Sequence, residues 1–496
     1  MRRSHIVAFG PHTVHAAAAR MGYDVNAWRF LFLNEQWRAI GGAGRMASRG
    51  VLLSIGAAAA VCLAGGFLGA EEKKQPPHLV LFLADDHGVE DSGCYGNPDV
   101  RTPHIDQLAS EGLRFERAYC ASPSCTPSRS ALYTGLMPAR NGAHPNHTPV
   151  HEGTQSLAHH LAPLGYRVVL FGKNHVSPRS AFPFEHVEGR IPPAGPDQGS
   201  ALDTAQLEQF LAAHDSEQPL CLIVSSWSPH IPWPKNDSYN PAELELPPGS
   251  VDTPESRKAR ARYYSDVTQL DARLGSCLAS LERHGYGKNL LFIYSSDHGA
   301  QWPFAKWNLY EAGTRVPLIV RWPEHVQAGQ TTSAMVSLVD LLPTFIEMAG
   351  GKPPGELDGR SLAPVLAGKT DRHREAIFTT HTGDSRINRS PMRAVRTVRY
   401  KYILNLHPEV KYETHISRGV ARDGRDYWDS WLAAAQYDRS AKRIVAAYGN
   451  RPREEFYDLT RDPHEQRNLS ESLSASIKNG LRGKLIAWRE DQGEQP

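Results

Sequence analysis

The hydrophobic pattern alternates between unbroken apolar runs and amphipathic stretches. Leu79–Ala84 is a continuous apolar run that stops at two carboxylates, in "HLVLFLADDHG". Runs of this kind mark strands buried on both faces of a parallel sheet. "RTPHIDQLASEGLRF" then predicts a helix, with Thr102 as N-cap, Pro103 at the first helical position and Gly112 as terminator. The pattern recurs. Arg167–Phe171 is a strand ending in "GKNH", and Leu220–Val224 is followed by "SSWSPHIPW". A long helix is predicted from Pro254 to His284, with Tyr264, Val267, Leu270, Leu274, Leu278 and Leu281 on one face. Leu291–Tyr294 ends in "SSDHG", Leu318–Val320 is another strand, and Val336–Met348 reads as helix. Strands alternating with helices predict an α/β domain with a large, mostly parallel sheet sandwiched by helices. Ligands of such sheets bind beyond the C-terminal strand ends. That rule gathers Asp85/Asp86, Lys173/His175, His230 and Asp297/His298 at one rim.

The texture changes after residue 370. "EAIFTTHT", "MRAVRTVRYKYILNL" and "REEFYDLT" read as antiparallel strands with an exposed face, and Leu473–Asp491 as a helix. These predict a catalytic domain over 76–370 and a small C-terminal α+β domain with an antiparallel sheet over 371–496. Pro408–Asn450 is rich in charged and aromatic residues and carries no clear period. At the other end, Arg49, the apolar run Val51–Phe67 and small residues up to Ala70 form a signal-peptide layout over 46–70. Residues 1–45 read as an extension from an upstream start. The signal predicts export to a bacterial periplasm or the medium, without stable membrane insertion. Export makes disulfides available to Cys94, Cys120, Cys221 and Cys277, with Cys120 the better placed to pair, while Cys62 leaves with the signal. No C-x-x-C pair points to structural zinc. The 496 residues carry 40% hydrophobic and 22% charged positions, an ordinary soluble composition. A net charge of +2 argues against a nucleic-acid footprint, so local electrostatics must choose the ligand.

Three carboxylates at one rim, Asp85, Asp86 and Asp297, would repel one another without a cation, and hard oxygen ligands suit Ca²⁺ or Mg²⁺. "SPSCTPSRSALYTG" puts Cys125 at the start of a helix opened by Thr126 and Pro127, with Arg129 one turn along. A helix N-terminus favours anions. Lys173, His175, His230 and Lys306 add cationic or proton-carrying groups, so the guest is an oxyanion such as a sulfate or phosphate ester.

"CTPSR" resembles the C-x-P-S-R signature of the type I sulfatases, within the alkaline-phosphatase-like superfamily. "LFLADDHG", "GKNHVSP", "SPHIPW", "SSDHGAQ", "KWNLYEAGTRVPLIV" and "EFYDLTRDPHEQRNL" agree in order, over roughly residues 78 to 490. The resemblance implies that a maturation enzyme oxidises Cys125 to Cα-formylglycine, whose hydrate has one hydroxyl to attack sulfur and another to expel sulfate. It implies Asp85, Asp86, residue 125, Asp297 and His298 as calcium ligands, with His298 where many members carry Asn. Asp297 is then the base for the attacking hydroxyl, and Arg129 and Lys173 orient the hydrate. His175 takes the proton of the second hydroxyl, while His230 and Lys306 hold the sulfate, His230 protonating the leaving group. Within the family the chain resembles heparan N-sulfatase and its bacterial relatives, through "CTPSRSALYTGL", "GKNHVSP", "SPMRAVRTVRYKYILNLH" and "DPHEQRNL". This implies a sulfated saccharide substrate, heparan-type favoured. "SWSPHIPW" and Lys306 depart from the animal enzyme on the leaving-group side, so sulfate esters and sulfamates both stand as substrates.

Two loops are candidates for sugar recognition: Asn141–Gly153 with His147, and His381–Pro391 with His381, Asp384, Arg386 and Arg389. An ordinary polar loop is the alternative at both. Two other functions stay open: a phosphonate or phosphodiester hydrolase of the same superfamily, and a non-catalytic glycan-binding relative.

Overall fold

The computed structural model describes residues 75–494 apart from 196, 197, 236, 237, 288 and 385. The extension and signal peptide read over residues 1–70 lie outside the described residues. The strands run β1 (His78–Ala84), β2 (Leu113–Tyr119), β3 (Arg167–Gly172), β4 (Glu185–Val187), β5 (Arg190–Ile191), β6 (Ala201–Leu202), β7 (Leu220–Ser225), β8 (Leu290–Ser296), β9 (Arg315–Val316), β10 (Leu318–Arg321) and β11 (Gln330–Ser337). A nine-stranded sheet has the order β11-β2-β10-β8-β1-β7-β3-β4, with β9 joined to β2, and β5 pairs with β6 separately. β1 is parallel to both β7 and β8, and β3 continues parallel from β7. β10 runs antiparallel to its neighbours β8 and β2.

The unbroken apolar run of β1 has a direct cause. Leu79, Leu81 and Leu83 enter a core on one face with Leu132, Tyr133, Leu341 and Phe345. Val80, Phe82 and Ala84 enter a second core on the other face, under Ile105, Leu108, Leu270 and Leu274. Because side chains alternate across a strand, a sheet covered on both sides needs an apolar residue at every position. The layers divide the thiols two and two: Cys120 and Cys221 lie in the first core, and Cys277 lies in the second with Cys94 packed against it. Cys94, Cys120, Cys221 and Cys277 are all free thiols, so the disulfides that export would permit are not used among the described residues.

Thr102 stands at the N-cap of the helix Pro103–Ser110, as read, although its hydroxyl caps no N–H of that helix: it donates to Asp106 Oδ1 at 3.1 Å and accepts from the Gly93 N–H at 2.9 Å. Leu113–Tyr119, whose Arg114 and Glu116 interrupt the apolar pattern, is strand β2. Val336–Met348 is not one helix: β11 ends at Ser337 and the helix begins at Leu341. The carboxylate of Asp340 accepts from the Ser337 backbone N–H at 2.9 Å, a capping arrangement that stops the strand and starts the helix.

The second sheet comprises β12 (Ile377–His381), β13 (Met392–Arg396), β14 (Tyr400–Asn405) and β15 (Glu454–Asp458), all antiparallel. Neither face is open, contrary to the alternation read in its strands. Val395, Tyr402 and Phe456 pack under Leu481 and Leu485 of the helix Ala475–Asp491. Met392, Ala394 and Ile403 face a core shared with Tyr263, Trp307 and Tyr412. The aromatic stretch 408–450 folds into helices, including Arg425–Ala434 and Arg439–Gly449, that close this core. Trp431 Nε1 donates to Ser256 Oγ on the long helix Pro254–Arg283 at 2.6 Å.

Asp340 also anchors the turn after the first sheet. It is fully buried and paired with Arg374 and, at 3.1 Å, with His373. Burial alone would raise its pKa, but the Arg374 guanidinium, with hydrogen bonds from Arg374 and His373, overcomes it and holds the carboxylate below its usual range. A depressed carboxylate adds stability above its unfolded pKa of about 3.9 and loses it as pH falls through the folded value. Asp340→Asn is expected to cost about 3–5 kcal/mol at pH 7. Urea midpoints followed from pH 7 downward should show the gap to wild type closing below pH about 4. A gap that stays constant with pH would sink the assignment.

Candidate active site

The strand ends of the first sheet place the charged groups. Asp85 and Asp86 follow β1, and Asp86 has φ +67°, a left-handed conformation that Asp adopts more readily than most side chains. The turn is fixed from both flanking strands. Asp85 N donates to Ser228 O at 3.1 Å, and Asp297 N, just beyond β8, donates to Ala84 O at 3.1 Å. Lys173 follows β3 and binds the Asp85 carboxylate. The helix Cys125–Thr134 aims its N-terminus at the same rim, and Cys125 is 2% exposed.

Arg129 ties the group together. It is fully buried, donates from Nε to Asp297 Oδ2 at 2.9 Å and from Nη1 to Ser225 Oγ at 2.6 Å, and reaches Asp85 Oδ1 at 3.3 Å. Lys306, also buried, donates to Asp86 Oδ2 at 2.7 Å and to Gln301 Oε1 at 3.3 Å. Asp85, Asp86 and Asp297 are thus balanced by Arg129, Lys173 and Lys306. Burial pushes all three carboxylates up. Lys173 and neighbouring positive groups overcome it at Asp85, and Lys306 does so at Asp86. At Asp297 burial prevails over His298 and Arg129, leaving a more basic carboxylate.

A cation fits beside Asp86. Ligand atoms of Asp85, Asp86, Cys125 and His298 all lie within 4.8 Å of one another. Asp86 Oδ1 is buried and accepts no hydrogen bond. His298 Nδ1 pairs with the Gly299 carbonyl at 2.9 Å, which leaves Nε2 as a lone-pair donor 3.4 Å from Asp86 Oδ1. Two carboxylates and one imidazole form a hard donor set suited to a divalent cation. Asp297 stands beside this set: Oδ1 accepts from the N–H groups of Asp86 at 3.2 Å and His298 at 2.9 Å, while Oδ2 meets Arg129.

Cys125 Sγ is 3.4 Å from His298 Nε2, 3.7 Å from Asp85 Oδ1 and 3.9 Å from Lys173 Nζ. Burial pushes its thiol well above the ordinary range despite Lys173 and Lys306. A thiolate is the nucleophilic form of cysteine, and burial disfavours it here.

His230 Nδ1 pairs with the Ile231 carbonyl at 2.6 Å and its Nε2 stands 3.9 Å from Asp86 Oδ2. Burial and Lys306 lower its pKa to about 4. His175 is lowered to about 2 by burial, Lys173 and Arg129. Both rings are neutral near pH 7. His175 touches His147 rather than a carboxylate, Nε2 to Nδ1 at 2.9 Å.

The two polar loops meet. Asn146 N donates to Gly383 O at 3.0 Å, and Asn146 Nδ2 to Asp384 Oδ2 at 3.0 Å. His381 and Asp384 are buried, while His147 and Arg386 are exposed. Sequence reasoning passed over Asn146, Gln301, Trp307 and His415. Trp307 donates from Nε1 to Asp384 Oδ2 at 2.8 Å and stacks on His415 with ring centroids 5.0 Å apart. Asn146 and Trp307 had a signal, adjacency to His147 and Lys306 in segments already singled out; Gln301 is five residues from Lys306, and His415 lies in the stretch 408–450 that showed no period. A cavity of 580 Å³ bordered by Asp91, Arg260, Trp302 and Arg451 contains none of the predicted site residues.

The sulfatase family profile matches residues 77–351, and the profile described as N-sulphoglucosamine sulphohydrolase, C-terminal, matches 298–415. The chain belongs to the sulfatase family. This sulfatase is 33% identical over 427 residues to an ulvan-active sulfatase of Formosa agariphila, covering 85% of this chain and 81% of that relative. It is 29% identical to human N-sulphoglucosamine sulphohydrolase, covering 84% and 90%. Its fold matches the structure of BT4656 in complex with its substrate D-glucosamine-2-N,6-O-disulfate, with a TM-score of 0.63 at 20% identity, covering 84% and 98%.

Calcium added to chelator-treated protein is expected to raise the melting temperature, by about 2.7 kcal/mol of stabilisation at a hundredfold excess over Kd. Asp86→Asn should remove most of that shift. No calcium-dependent shift in the wild-type sulfatase would sink the cation site.

Proposed function

We propose that this sulfatase is exported and hydrolyses sulfate esters or sulfamates on a sulfated glycan, heparan-type saccharides favoured. It would use calcium and a formylglycine made from Cys125. The observation that carries the reading is the place of Cys125: a buried thiol, with burial against the thiolate, held against Asp85, Lys173 and His298 at a helix N-terminus. The profile named for N-sulphoglucosamine sulphohydrolase and the human relative of that name support the heparan-type preference. The ulvan-active relative supports the wider class of sulfated polysaccharides.

Asp85, Asp86, Asp297, His298 and residue 125 would hold the calcium. When bound, the formylglycine hydrate supplies an oxygen nucleophile, and calcium stabilises charge on the sulfuryl oxygens. The remaining work falls to side chains. Arg129 and Lys173 orient the nucleophile's oxygens against Asp85 and Asp297. Asp297, the most basic of the three carboxylates, takes the proton of the attacking hydroxyl. His230 and Lys306 hold the sulfate, and His230 Nε2 gives a proton to the leaving atom. A positioned acid of this kind contributes about 10²–10⁴-fold in rate. His230 starts neutral beside Lys306. Bound sulfate would screen that cation and let the ring take up the proton it delivers.

Mass spectrometry of the Cys125 peptide should show a loss of about 18 Da in active protein. Fully active protein with an intact thiol would overturn the proposal. Cys125→Ala should abolish turnover while leaving the melting temperature within a few degrees of wild type.

The saccharide class is read separately, from defined N- and O-sulfated glucosamine and ulvan oligosaccharides. Release of sulfate from glucosamine substrates at least about tenfold faster, equivalent to 1.4 kcal/mol, supports the heparan-type preference. Faster release from ulvan fragments refutes it.

A further inference from the structure

His147 stands outside the charge-balanced cluster, yet it controls a ring inside it. His175 has two nitrogens with different surroundings. Nε2 lies 2.9 Å from His147 Nδ1, while Nδ1 is buried and has no hydrogen-bond partner among the described residues. Which nitrogen carries the proton therefore depends on what His147 presents.

Asn146 decides that. The backbone N–H of Thr126 can only donate, and it reaches Asn146 Oδ1 at 3.0 Å. The amide is thereby oriented, and Nδ2 faces the other way with two N–H bonds for two neighbours. One goes to Asp384 Oδ2 at 3.0 Å and the other to His147 Nε2 at 3.2 Å. Asp384 is itself fixed by the indole N–H of Trp307 at 2.8 Å. A nitrogen that accepts from an amide carries no proton, so neutral His147 holds its proton on Nδ1. His147 Nδ1 then donates to His175 Nε2, and the proton of His175 is left on Nδ1. The order follows from one backbone donor at the start of the Cys125 helix. His147 adopts φ +64°, a left-handed conformation. Its side chain is 56% exposed, so the outer end of the chain meets water.

We infer that His147 is a positioning residue that holds His175 in its Nδ1–H form and joins it to solvent. The buried nitrogen of His175 therefore meets a bound sulfate as a hydrogen-bond donor in the resting site. When His175 Nδ1 gives its proton to a bound anion, its Nε2 takes the Nδ1 proton of His147 as water protonates His147 at Nε2; each N–H bond broken is matched by one formed and neither ring is left charged. Asp384 Oδ1, 3.7 Å from His147 Nε2, is placed to receive the new N–H. The charged groups facing the pair are Lys173, Arg129 and Asp85 around His175, and Asp384 with His415 and Lys306 behind it. The assignment of the tautomer rests on geometry alone; the role in turnover rests on the sulfated-glycan reading.

The test separates the two. In full-length protein labelled with ¹⁵N-histidine, NMR reads the tautomer directly. His175 is expected as a single Nδ1–H form in wild type and as a mixture in His147→Ala. An Nε2–H form in wild type overturns the inference whatever the activity. In turnover, His147→Ala should lower kcat about 10²-fold with KM within about twofold, and shift the acid limb of the kcat profile. Added imidazole should restore a large part of the loss. A raised KM with kcat intact would make His147 a sugar contact, and an unrescued loss with a fallen melting temperature would make it structural; either overturns the relay. Wild type inactive on every saccharide tried would refute the sulfated-glycan reading and the turnover role together. The NMR result would still decide the tautomer.

Discussion

Arg129 is the element on which the site depends, because it is the buried cation between two buried carboxylates. Taking a carboxylate out of water costs several kcal/mol unless geometry and hydrogen bonds repay it. Asp85 and Asp297 sit at the ends of β1 and β8, adjacent parallel strands, and Arg129 is the one side chain of the cluster that meets both. The guanidinium answers both with fixed, forked donors, a task that a lysine's single point charge could not perform. Its position then dictates the helix. Arg129 lies one turn into Cys125–Thr134, so pairing it with the strand ends pulls Cys125 onto Asp85 and His298. The motif is a mechanical arrangement as much as a chemical one: the arginine docks the helix that carries the cysteine.

Neutral balance explains why the cluster can exist before any ligand arrives, and why it still wants one. Three acids against three bases leave no net charge. A divalent cation would add two positive charges, which the nucleophile's oxygens and an anionic sulfate would then offset. Substrate binding and cation binding are therefore coupled through charge. Asp86 Oδ1, buried and without a hydrogen-bond partner among the described residues, is a lone pair free to take part in that coupling.

The fold and the core of the site were legible because both follow from local rules. Continuous apolar runs gave the parallel strands, and the strand-end rule put Asp85, Lys173, His230 and Asp297 together before any coordinates. Strand β2 was not legible, because Arg114 and Glu116 point to its half-open side and break the run. The boundary at Asp340 was missed because the cap depends on a side chain reaching back three residues. The 408–450 helices were opaque because their aromatic residues face a neighbouring core and show no clear outward period. The tautomer chain was invisible for another reason: Asn146, His147, His175 and Asp384 come from three separate loops. Only the tertiary fold sets which hydrogen each shares.

The second sheet matters to the chemistry through the loop that carries Lys306. Phe304 and Trp307 both adopt left-handed backbone conformations, at φ +66° and +67°, and such residues cost about 1–3 kcal/mol each. They persist because later residues overdetermine the loop. Tyr427 donates to Gln301 O at 3.1 Å, and Tyr412 donates to Trp307 O at 2.9 Å. Arg451 donates to Asn308 Oδ1 at 2.8 Å, and Lys401 to Leu309 O at 3.1 Å. All four clamps lie beyond residue 400, in sequence far from the loop they hold. Lys306 therefore keeps its place against Asp86 only while the C-terminal elements are docked. Asp384, which receives the Trp307 indole, ties that same loop to the Asn146 amide and so to the ring of His175. The loop that carries Lys306 is thus wired both to Asp86 and to the ring of His175.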